Sequence, residues 1–140
     1  MQDKETTKYL ISSDVFRAPT VGRLLAIDLG TKKVGLAISD EIQLTVRHLD
    51  VIRRSGWKSF LKEIARYLSD FDAKGLVIGL PFNFDGTESE MSRDARRVAR
   101  NFSLSLEIPV FLQDERVSTY EARGNLWKLG ANEKQMREKI

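Results

Sequence analysis

Three short segments before residue 54, the first two of them largely apolar, are predicted to be β-strands. They cover Arg23–Leu29, Lys33–Ser39 and Thr45–Arg53. Apart from Arg23 and Asp28 the first run is wholly apolar, which predicts a strand covered on both faces. Because only a few residues separate the runs, we expect the three strands to form an antiparallel meander.

Helical and extended patterns alternate in the rest of the chain. Trp57, Phe60 and Ile64 recur at helical spacing, which predicts an amphipathic helix. The apolar runs Gly75–Leu80 and Pro109–Gln113 predict a fourth and a fifth strand.

Two capping boxes mark the starts of two further helices. In each box a hydroxyl residue is followed three positions later by a glutamate. The two pairs are Thr87 with Glu90 and Ser118 with Glu121. Gly130 is a natural end for the last helix. The complete order predicts an α/β fold in which a mixed five-stranded sheet is flanked by helices. The connections after the third strand are long enough for right-handed crossovers between parallel strands.

Asp28 interrupts the apolar part of the first strand, near its C-terminal end. A carboxylate that is buried without a cation or hydrogen-bond donors is unfavourable. The charge therefore requires compensation, and a bound metal ion is one candidate. Gly30 and Gly35 would let the backbone turn sharply or approach a ligand closely. An ordinary β-hairpin whose aspartate caps the turn explains the same pattern, and the residues alone leave both interpretations open.

The composition is that of one globular domain preceded by an N-terminal arm. The chain has 140 residues, of which 41% are hydrophobic and 31% are charged. Residues 1–22 mix acids, bases and hydroxyls, so we expect a partly ordered arm there and a domain over residues 23–140. No apolar run approaches the roughly 20 residues that cross a bilayer, and the arm lacks the apolar core of a secretory signal. The absence of cysteine excludes disulfides and thiol chemistry and favours a cytoplasmic location.

The residues available for metal binding are mainly carboxylates. Because His48 is the single histidine, we expect neither a His-rich metal site nor a Ser-His-Asp triad, and we interpret His48 as a strand or surface residue. A metal held by carboxylates would be a hard cation such as Mg²⁺ or Mn²⁺. The net charge of +3 permits a nucleic-acid partner without requiring one.

Asp28 and Glu115 each lie at the C-terminal end of a predicted strand, where the functional residues of α/β sheets gather. If the first and fifth strands are neighbours, the two carboxylates could share a divalent ion. Asp114 is a weaker candidate than Glu115, because adjacent residues of a strand point to opposite faces of the sheet.

Three segments of the chain together resemble one bacterial protein family. They are AIDLGTKKVGLA (Ala26–Ala37), GLPFNFDGTE (Gly79–Glu88) and DERVSTYEA (Asp114–Ala122). They closely resemble the Holliday-junction-resolvase-like family, whose members are also described as pre-16S rRNA processing nucleases. The likeness extends from about Arg23 to Gly130.

This resemblance implies an RNase H-like fold and metal-dependent hydrolysis of nucleic-acid phosphodiesters. The reaction would serve processing of the 5′ end of precursor 16S rRNA, resolution of branched DNA, or both. The resemblance assigns Asp28 and Glu115 as the catalytic carboxylates that hold one or two Mg²⁺ or Mn²⁺ ions against the scissile phosphate. Cutting of a symmetric junction would favour a homodimer with paired sites.

The chain departs from the family pattern near its C-terminus. Family members carry a third carboxylate at the start of a C-terminal helix, after a basic stretch like residues 133–140. The sequence stops at Ile140, where that motif would begin, so we expect the third carboxylate and the C-terminal helix to be absent. We interpret the chain as a shortened form of a longer protein, the alternative being a catalytically compromised molecule. In either case a second metal ion should bind more weakly.

Basic residues indicate contacts with a polyanion. One face of the second predicted helix, opposite its apolar stripe, carries four arginines: Arg93, Arg96, Arg97 and Arg100. A solvated charged face is the ordinary interpretation of such a stripe, but beside a nuclease-like site we favour phosphate contacts. Lys32, Lys33 and Arg116 flank the two carboxylates and would position a phosphodiester, although Arg116 could equally pair with Asp114 and hold the loop.

Several residues have a structural interpretation instead. We expect Asn83 and Asp85 to shape a turn rather than contact substrate. We expect Trp57 and Trp127 to pack against the core rather than stack on bases.

Two other functional classes remain open. A non-catalytic nucleic-acid-binding or ribosome-biogenesis factor is made more credible by the missing third carboxylate. An actin-like phosphoryl-transfer enzyme would use Asp28–Thr31 as a phosphate loop, but 140 residues cannot supply the two halves that clamp ATP. Failure to bind ATP in a titration would exclude the latter.

Overall fold

The computed structural model describes residues 21–114. Five strands and two helices follow one another there in the order predicted. They are β1 (Arg23–Leu29), β2 (Lys33–Ser39), β3 (Val46–Arg53), α1 (Trp57–Asp70), β4 (Ala73–Leu80), α2 (Glu90–Ser105) and β5 (Val110–Asp114). Most of the predicted arm and the predicted third helix lie outside the described residues.

One mixed sheet contains all five strands, in the order β3-β2-β1-β4-β5. β1 pairs antiparallel with β2, and β2 pairs antiparallel with β3. β1 pairs in parallel with β4, and β4 pairs in parallel with β5. The structure thus confirms the antiparallel meander and the parallel second half that the connection lengths predicted.

Both helices pack against the same face of the sheet, which we call the helix face. Its core includes Leu25 and Ile27 from β1, Phe60 from α1 and Val98 from α2. Apolar residues at helical spacing explain this packing, because they form one stripe on each helix. Neither α1 nor α2 is long and apolar enough to cross a membrane.

Trp57 belongs to this core. Its ring lies edge-on to the rings of Phe60 and Phe102, at centroid distances of 6.4 and 4.8 Å. The predicted packing role is confirmed for Trp57, whereas Trp127 lies outside the range that the structure describes. His48 lies on β3, as expected of a strand residue.

The opposite face of the sheet carries a smaller apolar cluster, made of Leu24, Ala26, Ala37, Val77 and Phe111. Alternate residues of a strand share a face, so Asp28 lies on the same face as Leu24 and Ala26. We call this surface of the sheet the Asp28 face.

The start of α2 differs from the prediction. Ser89 is the N-cap instead of Thr87. The Oγ of Ser89 accepts a hydrogen bond from the N–H of Ser92 at 2.9 Å, and the Oγ of Ser92 accepts one from the N–H of Ser89 at 2.7 Å. Thr87 instead closes the preceding turn by donating to Asp85. A serine therefore takes the third helical position, where a capping box usually has glutamate or glutamine.

Candidate active site

Asp28 is buried at the C-terminal end of β1, with 4% of the residue exposed. Since β1, β4 and β5 run in parallel, their C-terminal ends meet at one edge of the sheet, which we call the carboxyl edge. Asp28 is opposite Gly35 of β2. Continuing the β1–β4 register by one residue places it level with Gly79 of β4. Neither glycine has a side chain, so no side chain at these two positions flanks the carboxylate.

Gln113 of β5 lies on the Asp28 face at the same level. It is opposite Gly79, and 1% of the residue is exposed. Its Nε2 donates to the backbone oxygen of Asp114 at 3.2 Å, whereas its buried Oε1 accepts no hydrogen bond from residues 21–114. Leaving a buried acceptor unsatisfied is unfavourable by about 1–3 kcal/mol. A water molecule or a cation at Oε1 would therefore stabilise this arrangement.

The strand β4 separates Asp28 from Gln113. The first and fifth strands are therefore not neighbours, which was the condition set for a metal ion shared by Asp28 and Glu115. Two strand spacings place the backbones of β1 and β5 roughly 10 Å apart. Because the residue between them is Gly79, side chains from the two strands can extend toward each other above it. Glu115, the predicted partner of Asp28, lies outside the described residues.

Asp114 lies on the helix face, as strand alternation predicts. It is opposite Leu80, which belongs to the larger core together with Leu112. The sheet therefore lies between the carboxylates of Asp114 and Asp28, which agrees with the weaker claim of Asp114 to the site.

Two exposed cations lie on the Asp28 face, one on each of the next two strands. Lys33, at the start of β2, is directly opposite Arg53, at the end of β3. The next pair inward on this face is Gly35 and Val51, and Gly35 is the residue opposite Asp28. Lys33 is therefore the diagonal neighbour of Asp28 across the β1–β2 pair, a separation that long side chains can bridge.

Hydrogen bonds hold the turn between β1 and β2. The N–H of Gly30 donates to the oxygen of Lys33, and the N–H of Arg54 donates to the oxygen of Lys32, each at 2.8 Å. The Nη1 of Arg54 also donates to the oxygen of Gly30, at 3.0 Å. The structure thus places both predicted lysines on a fixed turn at the carboxyl edge, where both are exposed.

The predicted arginine stripe of α2 lies on the far side of the sheet from Asp28, because α2 packs on the helix face. Arg93 and Arg100 are exposed there. Their contact with nucleic acid stays a prediction. Arg116 lies outside the described residues.

Two arginines of the stripe are paired with carboxylates. Arg96 donates to Glu88, and Arg97 donates to Asp94. The hydroxyl of Ser92 and the guanidinium of Arg96 both donate to Glu88 and hold the pKa of its carboxyl below the usual value. Asp94 within α2 and Glu88 in the preceding loop therefore supply carboxylates to the stripe.

A cleft of about 590 Å³ lies between α2 and the β1–β2 turn. Its lining residues are Thr31, Arg54, Glu90, Met91, Arg93, Asp94 and Arg97. Cations and carboxylates nearly balance in this lining, and it does not include Asp28. The cleft is therefore a different feature from the Asp28 face.

The turn after β4 confirms the shaping role of Asn83 and Asp85. The Nδ2 of Asn83 donates to the Oγ1 of Thr87 and to the backbone oxygen of Glu88, both at 3.1 Å. The Oδ1 of Asp85 accepts from the N–H of Thr87 at 3.0 Å. These contacts hold Phe84 fully exposed in the turn.

The oxygen atoms on the Asp28 face suit a hard cation. Mg²⁺ and Mn²⁺ prefer carboxylate, amide and water oxygens, and Asp28 and Gln113 supply the first two. Within residues 21–114 no three His, Asp or Glu side chains group together as a metal site. Glu115, the predicted second carboxylate, directly follows β5 in the sequence and lies outside this range.

Comparison with known proteins decides the family. The family model described as "RuvX: Holliday junction resolvase" matches residues 22–140. The chain belongs to the RuvX family. The "Putative pre-16S rRNA nuclease" of Anaeromyxobacter sp. (strain Fw109-5) is 36% identical over 118 residues, covering 84% of this chain and 86% of that relative. The relative of the same name from Yersinia pestis (strain Pestoides F) is 37% identical over 107 residues, 76% of each chain.

Solved structures are similar at low sequence identity. RuvC of T. thermophilus in complex with a Holliday junction substrate is 16% identical with a TM-score of 0.48, covering 66% of this chain and 64% of that one. The Fowlpox virus resolvase in complex with Holliday junction DNA is 16% identical with a TM-score of 0.41, covering 69% of this chain and 63% of that one. The strand order β3-β2-β1-β4-β5 of this RuvX chain confirms the α/β fold with a mixed five-stranded sheet that was predicted from the sequence.

Sequence analysis did not identify Gln113 or Arg53 as site residues. Strand alternation was the available signal for Gln113, because it lies two positions before Glu115. No local signal identifies Arg53, since its place beside Asp28 depends on how β2 and β3 are aligned.

Proposed function

We propose that the protein is a metal-dependent nuclease that hydrolyses nucleic-acid phosphodiesters on the Asp28 face. The observation that carries the proposal is the presence of two buried oxygen-bearing side chains, Asp28 and Gln113, on one face at the carboxyl edge. The exposed cations Lys33 and Arg53 lie on the same face, where they suit a phosphate. Membership of the RuvX family supports the same reaction class.

Asp28 and Glu115 would hold the Mg²⁺ or Mn²⁺ ion. A bound metal supplies an activated water and neutralises charge on the scissile phosphate. Alternation along β5 supports Glu115 as the second carboxylate. Phe111 and Gln113 lie on the Asp28 face, and Glu115 follows at the next alternate position.

The other groups on this face would position water and substrate. The Oε1 of Gln113 would accept a hydrogen bond from a water and so orient it. Lys33 would donate to a phosphate oxygen. Because Gly35 and Gly79 have no Cβ, a sugar–phosphate backbone could approach Asp28 closely.

We infer structured RNA or branched DNA as the substrate. The names of the relatives contain pre-16S rRNA, and the description of the family model is Holliday junction resolvase. Processing of the 5′ end of precursor 16S rRNA, resolution of branched DNA, or both would use the same phosphodiester chemistry. Cutting a symmetric junction would favour a homodimer with paired sites.

A non-catalytic nucleic-acid-binding factor is the second candidate. It is favoured by the lack of a three-residue metal site in the part of the chain that the structure describes. Such a factor would bind nucleic acid in a salt-dependent manner and would never turn it over.

A cleavage assay with a Mg²⁺ titration separates the two candidates. The substrates are a precursor 16S rRNA fragment and a four-way DNA junction, and the site variants are Asp28→Asn and Glu115→Gln. We expect each variant to cleave about 100-fold more slowly or worse while binding substrate like the wild type. The control is Asp70→Asn, an exposed carboxylate at the end of α1, which should cleave normally.

Each contrary outcome has a separate meaning. Normal cleavage by both site variants would show that the site is elsewhere. Binding without turnover by the wild type, on both substrates and at every Mg²⁺ concentration, would favour the second candidate.

A further inference from the structure

Lys33 and Arg53 form an exposed pair of like charges directly opposite each other on neighbouring strands. Neither makes an ion pair within residues 21–114. Like charges at directly opposite positions of an antiparallel pair destabilise the sheet. Folding alone therefore does not explain this pair, and a bound anion would relieve the repulsion.

The position of the pair relates it to the candidate active site. Lys33 and Arg53 lie on the Asp28 face. They are two residues nearer the carboxyl edge than Gly35 and Val51, the next pair on that face. Because Gly35 is opposite Asp28, Lys33 is the diagonal neighbour of the carboxylate and Arg53 lies one strand further away. An anion held between the two cations would therefore lie on the same face as Asp28, about one strand spacing from it.

The backbone around the pair is fixed before any ligand binds. The N–H of Gly30 donates to the oxygen of Lys33. Arg54, the residue after Arg53, donates through its N–H to the oxygen of Lys32. These contacts join the ends of β2 and β3, so binding an anion requires ordering of the two side chains only. A preorganised backbone reduces the entropic cost of binding.

We propose that Lys33 and Arg53 together bind one phosphate of the cut strand, next to the phosphate that is hydrolysed at Asp28. This inference rests on the proposed function and identifies Arg53 as a phosphate-binding residue of that site. The ammonium group supplies a point charge and the guanidinium supplies paired donors, which suits one phosphate held from two sides. Such a contact positions the strand without reading its sequence.

The experiment measures binding with EDTA present, so that neither cleavage nor a metal is needed. Lys33→Gln, Arg53→Gln and the double variant are compared with wild type on a DNA junction and on an RNA hairpin. At about 0.1 M salt each single substitution should weaken binding about fivefold to tenfold, and the slope of log K against log salt should fall by about one per lost contact. Arg53→Lys keeps the charge but not the paired donors, so it should keep the wild-type salt slope and lose less affinity than Arg53→Gln.

Lys62→Gln is the matched control. Lys62 is an exposed cation on α1, on the other side of the sheet, and its loss should leave the affinity and salt slope near those of wild type. Measurements on the DNA junction and on the RNA hairpin also show which nucleic acid supplies the phosphate. Equal losses of affinity on DNA and RNA indicate backbone contact alone, and a loss of affinity on one substrate assigns the pair to that nucleic acid.

Thermal unfolding distinguishes phosphate binding from a structural role. If the pair supported the sheet, either substitution would lower Tm. Removing one charge of a repelling pair should leave Tm unchanged or raise it. If Lys33→Gln or Arg53→Gln lowers Tm and leaves nucleic-acid binding intact, the pair compensates Asp28 or supports the sheet, and the inference is wrong. That result would leave the cleavage test of Asp28 and Glu115 unaffected, so the two proposals fail separately.

Discussion

Arg54 and Asp94, which are 40 residues apart in the sequence, form a bidentate ion pair between the end of β3 and helix α2. The Nη1–Oδ2 distance is 2.6 Å and the Nη2–Oδ1 distance is 3.0 Å. Both side chains are largely buried, at 19% and 16% exposed. Because Arg54 also donates to Gly30, this pair connects α2 with the turn that carries Lys32 and Lys33.

Replacing Asp94 by alanine should destabilise the protein by about 1–3 kcal/mol, since a largely buried guanidinium would lose both oxygen acceptors of its carboxylate partner. Urea unfolding followed by circular dichroism measures the change. Asp70→Ala is the control, because that carboxylate is exposed at the end of α1, and it should stay within about 0.5 kcal/mol of wild type. Equal stability of the two variants would mean that the ion pair contributes little.

Stability should fall in acid, in part through Asp94. Hydrogen bonds from Arg54, followed by its charge and by Arg97, hold the pKa of the Asp94 carboxyl below its usual value. The folded state therefore binds this proton less readily than the unfolded state does, whose pKa is about 3.9. The stabilisation is present above about pH 4 and is lost as the pH falls through the lower, folded pKa. Unfolding free energies measured from pH 6 to pH 2 should decline less steeply for Asp94→Asn. Parallel curves for that variant and the wild type would refute this linkage.

Gly35 should tolerate a methyl group but not a larger side chain. A Cβ at this position would lie 3.8 Å from the Cβ of Asp28, an ordinary van der Waals contact. If Asp28 holds the metal as proposed, Gly35→Ala should therefore fold and have a Mg²⁺ affinity close to that of the wild type. Gly35→Leu would fill the space beside the carboxylate and should reduce metal affinity and cleavage about tenfold or more. Calorimetric titration with Mn²⁺ and initial cleavage rates measure both effects. Unchanged values for the leucine variant would show that this space is not used.

Ser89 should contribute more to stability than an ordinary surface serine. Substitution by alanine removes the acceptor for the N–H of Ser92 and should cost about 0.5–2 kcal/mol. Ser69→Ala, on an exposed position of α1, provides the comparison and should be near neutral. Thermal unfolding of the two variants tests the assignment of the cap. A larger effect at Ser69 than at Ser89 would contradict it.

The periodicity of the sequence was sufficient to locate the elements. β1 and β2 have the predicted bounds, Arg23–Leu29 and Lys33–Ser39, because each apolar run is bordered by polar turn residues. Helical spacing likewise predicted that Trp57 packs into the core. The cap of α2 was assigned wrongly, because Thr87 and Ser89 both have the chemistry of a cap and only the turn geometry selects between them.

The arginine stripe shows the limit of a one-dimensional pattern. Helical spacing places the four arginines together, but it does not show that Arg96 pairs with Glu88 or that Arg97 pairs with Asp94. It also does not show which face of the sheet α2 covers. Both facts depend on contacts made after the helix packs.

Three properties of this chain follow from its sequence alone: the order of its elements, its family, and a buried carboxylate at the end of the first strand. The tertiary structure decided that β4 lies between β1 and β5, and that Gln113, Lys33 and Arg53 share the face of Asp28. The physical reason is the range of each interaction. Side-chain periodicity is set by neighbours within a few residues, whereas strand order and register are set by hydrogen bonds and packing between residues far apart in the chain.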